Sequence, residues 1–350
     1  MVGWNVTDGG GNVPAPNLIP KGYIQTVLGP VAPEQLGVTY SHEHLIIRGG
    51  LGLVREPGFK LPSKTKILVE LEDFKKAGGN AVVDMMPLDA GRQPRDLVEI
   101  GQKAGIHVIA ATGFHKEMYY DDEHWIHTYS AEQIARLVAL ELTEGMDLRS
   151  YNGPIVERLS AKPGVMKLAT EYNYATKTQH KLIEALGIAH RETGFPVSTH
   201  TENGTLALEQ IRWLCAAGVP PNAILVGHLD RLPDLVYHKE VAATGSYVIY
   251  DGPSRAKYGP DSQVVELIKG MLGAGYGRQI LLGSDMARAS YLRAYGGGPG
   301  LDYILTRFLP RLRQEGVSQA AIEDIMIHNP ARACGRRAIP AEGIHLNGSS

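Results

Sequence analysis

The feature that most limits how this chain folds is a repeated alternation of short apolar segments with longer segments of helical periodicity. Eight apolar segments, rich in β-branched residues, lie at 38–47, 80–86, 107–113, 164–170, 195–201, 223–229, 246–251 and 279–285. Helical segments lie between them, for example at 64–79, 130–145 and 176–194. Strands that alternate with helices predict βαβ units and a parallel sheet covered on both faces.

Eight such units over about 250 residues are typical of a (β/α)8 barrel. The alternative is a doubly wound open sheet, which usually carries a glycine-rich phosphate turn after its first strand. The first apolar segment instead contains "SHEH". We therefore predict an α/β fold, a single (β/α)8 TIM barrel at 21–335 with the active site at the C-terminal ends of its strands. An N-terminal arm is expected at 1–20, a C-terminal tail at 336–350 and an insertion at 145–163.

Composition excludes several classes of function. The 350 residues carry a formal net charge of −2, and no clustered basic face indicates a nucleic-acid partner. Cys215 and Cys334 are far apart and match no zinc or redox spacing, so we expect reduced thiols and a cytoplasmic protein. No apolar run approaches the roughly 20 residues of a membrane span, and the N-terminus lacks the pattern of a signal peptide.

Polar side chains that suit a metal site fall in or at the ends of the apolar segments. Because the C-terminal ends of all barrel strands meet on one face, we expect these residues to share one cavity. They are His42, His44, Lys167, His200, His228 and Asp285. Each has a structural alternative, such as a hydrogen-bonded histidine or a helix N-cap aspartate, but a lysine in an apolar segment is costly to bury unpaired. The joint pattern predicts a metal centre.

The ligand types indicate which metals fit. Imidazole and carboxylate suit Zn, Mn, Co or Fe better than Ca or Mg. Four histidines and one aspartate exceed what one catalytic zinc takes while keeping an open position, so two metals about 3.5–4 Å apart are predicted. Lys167 would bridge them if its amine had reacted with carbon dioxide to give an anionic carbamate. Glu43, between two of the histidines, is expected to point away from the metals.

The motifs that carry these residues resemble those of the phosphotriesterase family of the amidohydrolase superfamily. The similarity covers roughly residues 20–335 and consists of "SHEH", "MKLAT", "STHT", "GHLD" and "GSD", together with "ELTEGMD" and "NPAR". The resemblance implies a metal-dependent hydrolase on a TIM barrel. A single-metal deaminase-type amidohydrolase is less favoured, because Lys167 would then have no evident role.

The resemblance also implies a role for each ligand. His42, His44 and Asp285 would hold the more buried metal, and His200 and His228 the more exposed one. Carboxylated Lys167 and a hydroxide would bridge the two divalent ions, most readily zinc, with Asp285 accepting a proton during hydrolysis. Homodimers are common in the family. His115 and Lys116 follow the third strand, and either a site role or a surface role is open for them.

The substrate is expected to depend on the last two loops, at 251–262 and 284–300. These loops carry four cations and several tyrosines, which suit an anionic group such as phosphate better than an apolar tail. The set Lys257, Arg288 and Tyr291 resembles the branch that opens phosphorylated sugar lactones. Arg288 is also expected near Asp285, where it would keep that carboxylate ionised. Arg255 and Arg293 are predicted to be solvated surface charges.

The predicted partner is therefore a small molecule, a lactone or ester that carries a phosphate. Two alternatives stay open from the sequence. The first is a related lactonase or esterase for lipophilic lactones or organophosphate triesters, because the metal ligands do not select the substrate. The second is a non-catalytic barrel that binds a ligand.

Overall fold

Eight parallel strands form the core of this computed structural model, which describes residues 22–339. A short antiparallel hairpin precedes them, formed by β1 (Ile24–Thr26) and β2 (Gly29–Val31). The barrel strands are β3 (Thr39–Glu43), β4 (Ala81–Asp84), β5 (His107–Gly113), β6 (Val165–Ala169), β7 (Val197–His200), β8 (Ile224–Gly227), β9 (Tyr247–Tyr250) and β10 (Ile280–Leu282). They pair in chain order from β3 to β10. This confirms the predicted TIM barrel and all eight predicted strands.

Helices follow the barrel strands and surround the sheet. In the described part of the chain they are α1 (Leu51–Arg55), α2 (Lys64–Lys76), α3 (Pro94–Ala104), α4 (Trp125–Thr128), α5 (Ala131–Thr143), α6 (Lys177–Thr193), α7 (Ala207–Ala216), α8 (Leu235–Ala243), α9 (Asp261–Gly273), α10 (Leu309–Gln314), α11 (Gln319–Glu323) and α12 (Asn329–Cys334). Turns of π-helix at Ile304–Phe308 and Asp324–His328 precede α10 and α12. Within 22–339, no helix has the length and apolar character needed to cross a membrane.

Local sequence signals explain where the predicted helices begin and end. Ser130 and Gln133 form a reciprocal capping box at the start of α5, and Thr176 and Gln179 do the same for α6. Gly194 ends α6 in the left-handed conformation, at φ 75°. The three helices predicted from periodicity therefore correspond to α2, α5 and α6.

The insertion at 145–163 is organised by two buried carboxylates of the "ELTEGMD" motif. Glu141 receives a bidentate pair from Arg92 at 2.7 and 2.8 Å and a hydrogen bond from the backbone N–H of Asp147 at 2.9 Å. Asp147 in turn accepts backbone hydrogen bonds from Arg149 and Glu157. Because both carboxylates are fully paired, this motif supports the fold and does not enter the cavity.

The ends of the described chain pack onto the barrel. The backbone N–H of Arg336 donates to Tyr23 O, and that of Arg337 donates to Gly194 O. The first residues of the predicted tail therefore contact the barrel. The predicted arm at 1–20 and the rest of the tail, from residue 340, lie outside the described residues.

The barrel closes where β3 meets the loop after β10, and this closure brings two predicted ligands together. The backbone N–H groups of Ser284 and Asp285 donate to His42 O at 3.2 and 3.1 Å. Glu43 is buried and accepts hydrogen bonds from Ser284 N at 2.8 Å and from Met286 N at 3.2 Å. The carboxylate between the two histidines thus points away from the cavity and fastens the loop that carries Asp285.

We expect Gly283→Ala to destabilise the protein, because a Cβ at this position would lie 2.7 Å from both the backbone N and O of His42. Overpacking of this kind costs about 1–3 kcal/mol. Thermal unfolding should show a lower Tm than the parent. Gly273→Ala is the control, since no described atom lies within 4 Å of a Cβ there. Equal Tm values for the two variants would contradict this account of barrel closure.

Candidate metal centre

The structure brings all six predicted ligands into one cavity of about 250 Å³ at the C-terminal mouth of the barrel. Each is at most 7% exposed. His42 lies in β3 and His44 directly after it, Lys167 lies in the middle of β6, and His200 ends β7. His228 and Asp285 follow β8 and β10 and adopt positive φ angles of 64° and 46°. These angles are uncommon outside glycine and cluster at functional sites.

His42, His44 and Asp285 form the tightest cluster. His44 Nε2 lies 3.2 Å from Asp285 Oδ1, and His42 Nε2 lies 3.8 Å from the same oxygen. One potential ligand atom from each residue lies within 4.8 Å of the others. Two imidazole nitrogens and a carboxylate oxygen at this spacing are a donor set that suits a divalent transition metal.

His200 and His228 extend the cluster across the cavity. Their ring centroids are 4.5 Å apart, and the ring of His228 is 4.8 Å from that of His42. His200 Nε2 lies 2.9 Å from Glu202 Oε2, which also receives Lys116 Nζ at 2.8 Å. The ring nitrogen of His200 opposite Glu202 is therefore the one left to ligate a metal.

Lys167 is buried with its ammonium nitrogen, Nζ, unsatisfied. In the described part of the chain Nζ has no hydrogen-bond partner. Burial lowers the pKa of Lys167 to about 8, although the negative charges of Asp285 and Asp251 act to raise it. An unpaired buried amine is costly, so its presence among five candidate ligands indicates a partner of a different kind. The orphaned Nζ and the histidine and carboxylate donors around it fit a site that holds divalent cations.

Asp251 is a residue of the site that the sequence pattern did not single out, as are Arg231 and Glu202. Asp251 directly follows β9 and is fully buried. Its two oxygens lie 3.1 Å from His42 Nδ1 and 2.8 Å from His228 Nδ1. Asp251 hydrogen-bonds to His228 Nδ1 and lies against the edge of the His42 ring opposite to the one that faces Asp285. Asp251 ends the seventh apolar segment, so the criterion that selected the other ligands also fits it.

Two buried arginines hold the second oxygen of Asp285. Arg255 Nη1 lies 2.6 Å and Arg231 Nη2 lies 2.8 Å from Asp285 Oδ2. Burial alone would raise the pKa of Asp285, but the Arg255 guanidinium and the hydrogen bond from His44 hold that pKa well below its usual range. The prediction that Arg255 is a surface charge is wrong, because this side chain is only 5% exposed.

The predicted substrate residues separate into two groups. Lys257 and Arg288 line the cavity, whereas the ring of Tyr291 lies 4.9 Å from Arg255 Cζ and is not part of the cavity lining. Arg288 pairs with Glu56 at 3.0 Å. The cations that contact Asp285 are Arg231 and Arg255, and not the expected Arg288. Arg293 is at the surface, as predicted, and pairs with two aspartates.

Positive charge exceeds negative charge on the cavity wall. Apart from Lys167, the cations among the described residues are Lys116, Arg231, Arg255, Lys257 and Arg288, and the carboxylates are Glu56, Glu202 and Asp285. His115 also lines the cavity, and its Nδ1 accepts a hydrogen bond from the backbone N–H of Lys116. The sequence left either a site role or a surface role possible for His115 and Lys116, and the structure places both at the cavity. The excess of cations suits an anionic ligand.

Residues 22–334 match the family model described as "Phosphotriesterase family". The chain belongs to the phosphotriesterase family. A curated relative from Mycoplasmopsis synoviae (strain 53), named phospho-furanose lactonase, is 37% identical over 320 residues, which are 89% of this chain and 91% of the relative.

Solved structures give the same relationship. A lactonase from Listeria monocytogenes superposes with a TM-score of 0.84 at 32% identity, covering 90% of this chain and all of that one. The phosphotriesterase homology protein from Escherichia coli, solved with phosphate in its active site, superposes with a TM-score of 0.78 at 29% identity. That match covers 86% of this chain and 99% of the other.

Membership of the phosphotriesterase family confirms the predicted hydrolase of ester bonds. Proteins of this family depend on binuclear metal centres, and the described residues include two groups of candidate ligands. One group is His42, His44 and Asp285, and the other is His42, His228 and Asp251.

We expect Asp251→Asn to weaken metal binding in this phosphotriesterase-family protein by about 10- to 100-fold, because an amide orients the two imidazoles less strongly than a carboxylate. Competition with a chromogenic chelator measures the affinity directly. Asp73→Asn is the matched control, since Asp73 is half-exposed and pairs with Arg293 outside the cavity. Identical affinities in Asp251→Asn and the parent would rule out this orienting role.

Proposed function

We propose that this protein is a binuclear metal-dependent lactonase that opens phosphorylated sugar lactones. The observation that carries the proposal is a cavity that joins a histidine and carboxylate cluster to a wall of cations. Two relatives at 37% and 36% identity are named phospho-furanose lactonase. A further relative binds phosphate in its active site. A cation-rich wall beside a hydrolytic centre fits a substrate with both an ester and a phosphate.

The resemblance to the family and the closeness of the side chains in the cavity support one assignment of the metal-holding residues. His42, His44 and Asp285 would hold one ion, and His200 and His228 the other. Lys167 Nζ has no hydrogen-bond partner among the described residues. As a carbamate, this side chain would supply an anionic bridge for the two ions. Zinc is the ion we propose first, with Mn, Co or Fe as alternatives that accept the same ligands. When bound, such ions polarise the ester carbonyl and activate water as a nucleophile at neutral pH.

The protein's own side chains would bind and orient the lactone. Lys257 and Arg288, on the loops after β9 and β10, would hold the phosphate by charge-assisted hydrogen bonds. Arg288 exchanges its contact with Glu56 for the phosphate as the substrate enters. With the phosphate held at this side of the cavity, the lactone ring would lie over the cluster near Lys167. Positioning of this kind lowers the entropic cost of the reaction.

The proposed reaction consumes one water and yields one hydroxy acid. The water oxygen bonds to the acyl carbon, the bond from that carbon to the ring oxygen breaks, and the ring oxygen takes a proton to become a hydroxyl. We assign the proton transfer to Asp285. The two arginines on its Oδ2 make Asp285 a weak base, so a proton that it accepts passes readily to the far more basic departing oxygen.

A hydrolysis screen tests the proposal. The metal-loaded protein is offered sugar lactones with and without phosphate, lipophilic lactones and aryl phosphotriesters, and acid release is followed with a pH indicator. We expect the phosphorylated lactones to be opened fastest, by protein that contains about two metal equivalents per chain. A clear preference for lipophilic lactones or triesters would favour the alternative substrate class. No hydrolysis by fully loaded protein would favour a binding protein.

A further inference from the structure

One aromatic ring contacts three of the cations in the cavity wall. In the described part of the chain, the ring centroid of Tyr258 lies 4.2 Å from Arg231 Cζ, 4.4 Å from Lys257 Nζ and 5.0 Å from Arg255 Cζ. All four side chains border the cavity. Cations within about 6 Å of an aromatic centroid are attracted by the negative face of the ring. Tyr258 is therefore the common neighbour of three like charges.

The three cations belong to two different parts of the site. The side chains of Arg231 and Arg255 are only 6% and 4% exposed and contact Asp285 Oδ2. Lys257 is exposed at the cavity rim and is the proposed phosphate ligand. Like charges at this spacing repel one another unless other groups compensate. The ring of Tyr258 contacts both the arginines that hold Asp285 and the lysine proposed to bind phosphate.

The arginines are incompletely satisfied by hydrogen bonds. The Nε atoms of both Arg231 and Arg255 are buried and have no hydrogen-bond partner among residues 22–339. Their guanidinium groups contact Asp285 Oδ2 through their Nη atoms. The flat face of Tyr258 supplies a contact for both groups that requires no hydrogen bond. The ring, and not the hydroxyl, is the part of this side chain that the geometry uses.

We propose that Tyr258 is a positioning residue whose ring holds Arg231, Arg255 and Lys257 as one cationic wall and so makes the enzyme select phosphorylated lactones. The inference rests on the proposed lactonase function. It adds a residue whose ring contacts both the arginines on Asp285 and the lysine proposed to hold the phosphate. Without the ring, Lys257 loses the contact that keeps its ammonium at the rim. The lysine side chain must then be ordered when phosphate binds, and this entropy loss weakens phosphate binding.

The test compares Tyr258→Phe, Tyr258→Leu and the control Tyr129→Leu, each as metal-loaded full-length protein. Tyr129 is exposed on the loop before α5 and does not border the cavity. Two quantities are measured: the Kd for inorganic phosphate by calorimetry, and KM and kcat for a sugar lactone with and without its phosphate. Metal content and Tm establish that each variant is folded and loaded.

We expect Tyr258→Leu to raise both the Kd for phosphate and the KM for the phosphorylated lactone by about 5- to 30-fold. Its KM for the unphosphorylated lactone should change by less than about threefold. Tyr258→Phe should retain the parent's phosphate affinity, because the ring remains. If Tyr258→Leu does not fold, Tyr258→Met removes the ring with a more adaptable side chain and gives the same test.

A double-mutant cycle with Lys257→Met separates positioning from a general loss of structure. If Tyr258 acts by holding Lys257, the effects of the two substitutions on the Kd for phosphate should not add, and the double variant should bind phosphate about as weakly as Lys257→Met alone. Parent-like phosphate affinity in Tyr258→Leu would overturn the inference about Tyr258 alone. A parent protein that neither binds phosphate nor opens a phosphorylated lactone would overturn the proposed function, and the inference with it.

Discussion

Lys167→Met should lose hydrolytic activity by at least about a thousandfold and should retain no more than about one metal equivalent per chain. Methionine fills the volume of the lysine side chain but offers no nitrogen that becomes an anionic bridge. Elemental analysis of the purified variant gives the metal content, and acid release from the best lactone substrate gives the rate. Lys76→Met is the matched control, because Lys76 is 67% exposed on α2 and pairs with Glu72, one helical turn earlier.

The same variant also distinguishes a metal ligand from a structural lysine. Because Lys167 Nζ is buried without a described hydrogen-bond partner, removing it should not lower the Tm of metal-free protein. The loss of activity should therefore occur without a loss of metal-free stability. A Lys167→Met protein that keeps two metal equivalents and parental activity would eliminate the bridging role.

Arg288→Ala should raise the KM for a phosphorylated lactone by about 100-fold and leave the KM for its unphosphorylated counterpart nearly unchanged. The guanidinium lines the cavity and pairs with the partly exposed Glu56, a contact that a phosphate can replace. Steady-state kinetics on the two substrates separates binding of the phosphate from chemistry at the ester. Arg288→Lys should recover only part of the affinity, because an ammonium lacks the bidentate fork.

Arg293→Ala is the control for the loss of one arginine from the same loop. Its side chain is 43% exposed and pairs with Asp73 and Asp302. We expect its kinetic constants to match those of the parent for both lactones. Equal losses on the two substrates in Arg288→Ala would mean that Arg288 supports the loop after β10 and does not recognise phosphate.

The barrel and its ligand cluster could be predicted from the sequence because their determinants are local and periodic. Each strand is a short apolar segment, and a parallel barrel brings every C-terminal strand end to one face. His200, at the end of β7, was predicted to reach the cavity for this reason. Lys167 was predicted as a site residue because no local rule explains a buried lysine in β6. The family resemblance then rested on the same residues.

The partners of these residues could not be predicted in the same way. Arg255 lies in the polar loop "DGPSRAKYG", and its burial depends on Asp285, 30 positions later in the chain. Glu202 is two residues beyond His200, but its pairing with Lys116 spans 86 positions. Asp251 shared the strand-end pattern, yet an aspartate after a strand is also a common helix cap. Long-range contacts of loops, and not the strand pattern, decide such pairings.

The most direct test of a lactonase that selects phosphorylated substrates is the ratio of two kcat/KM values. Protein loaded with about two zinc equivalents is assayed on a phosphorylated sugar lactone and on the same lactone without phosphate, with ring opening followed by NMR. We predict a ratio of at least about 100 in favour of the phosphorylated lactone, and loss of both activities when a chelator removes the metal. A ratio near one, or hydrolysis that survives metal removal, would contradict the proposed function.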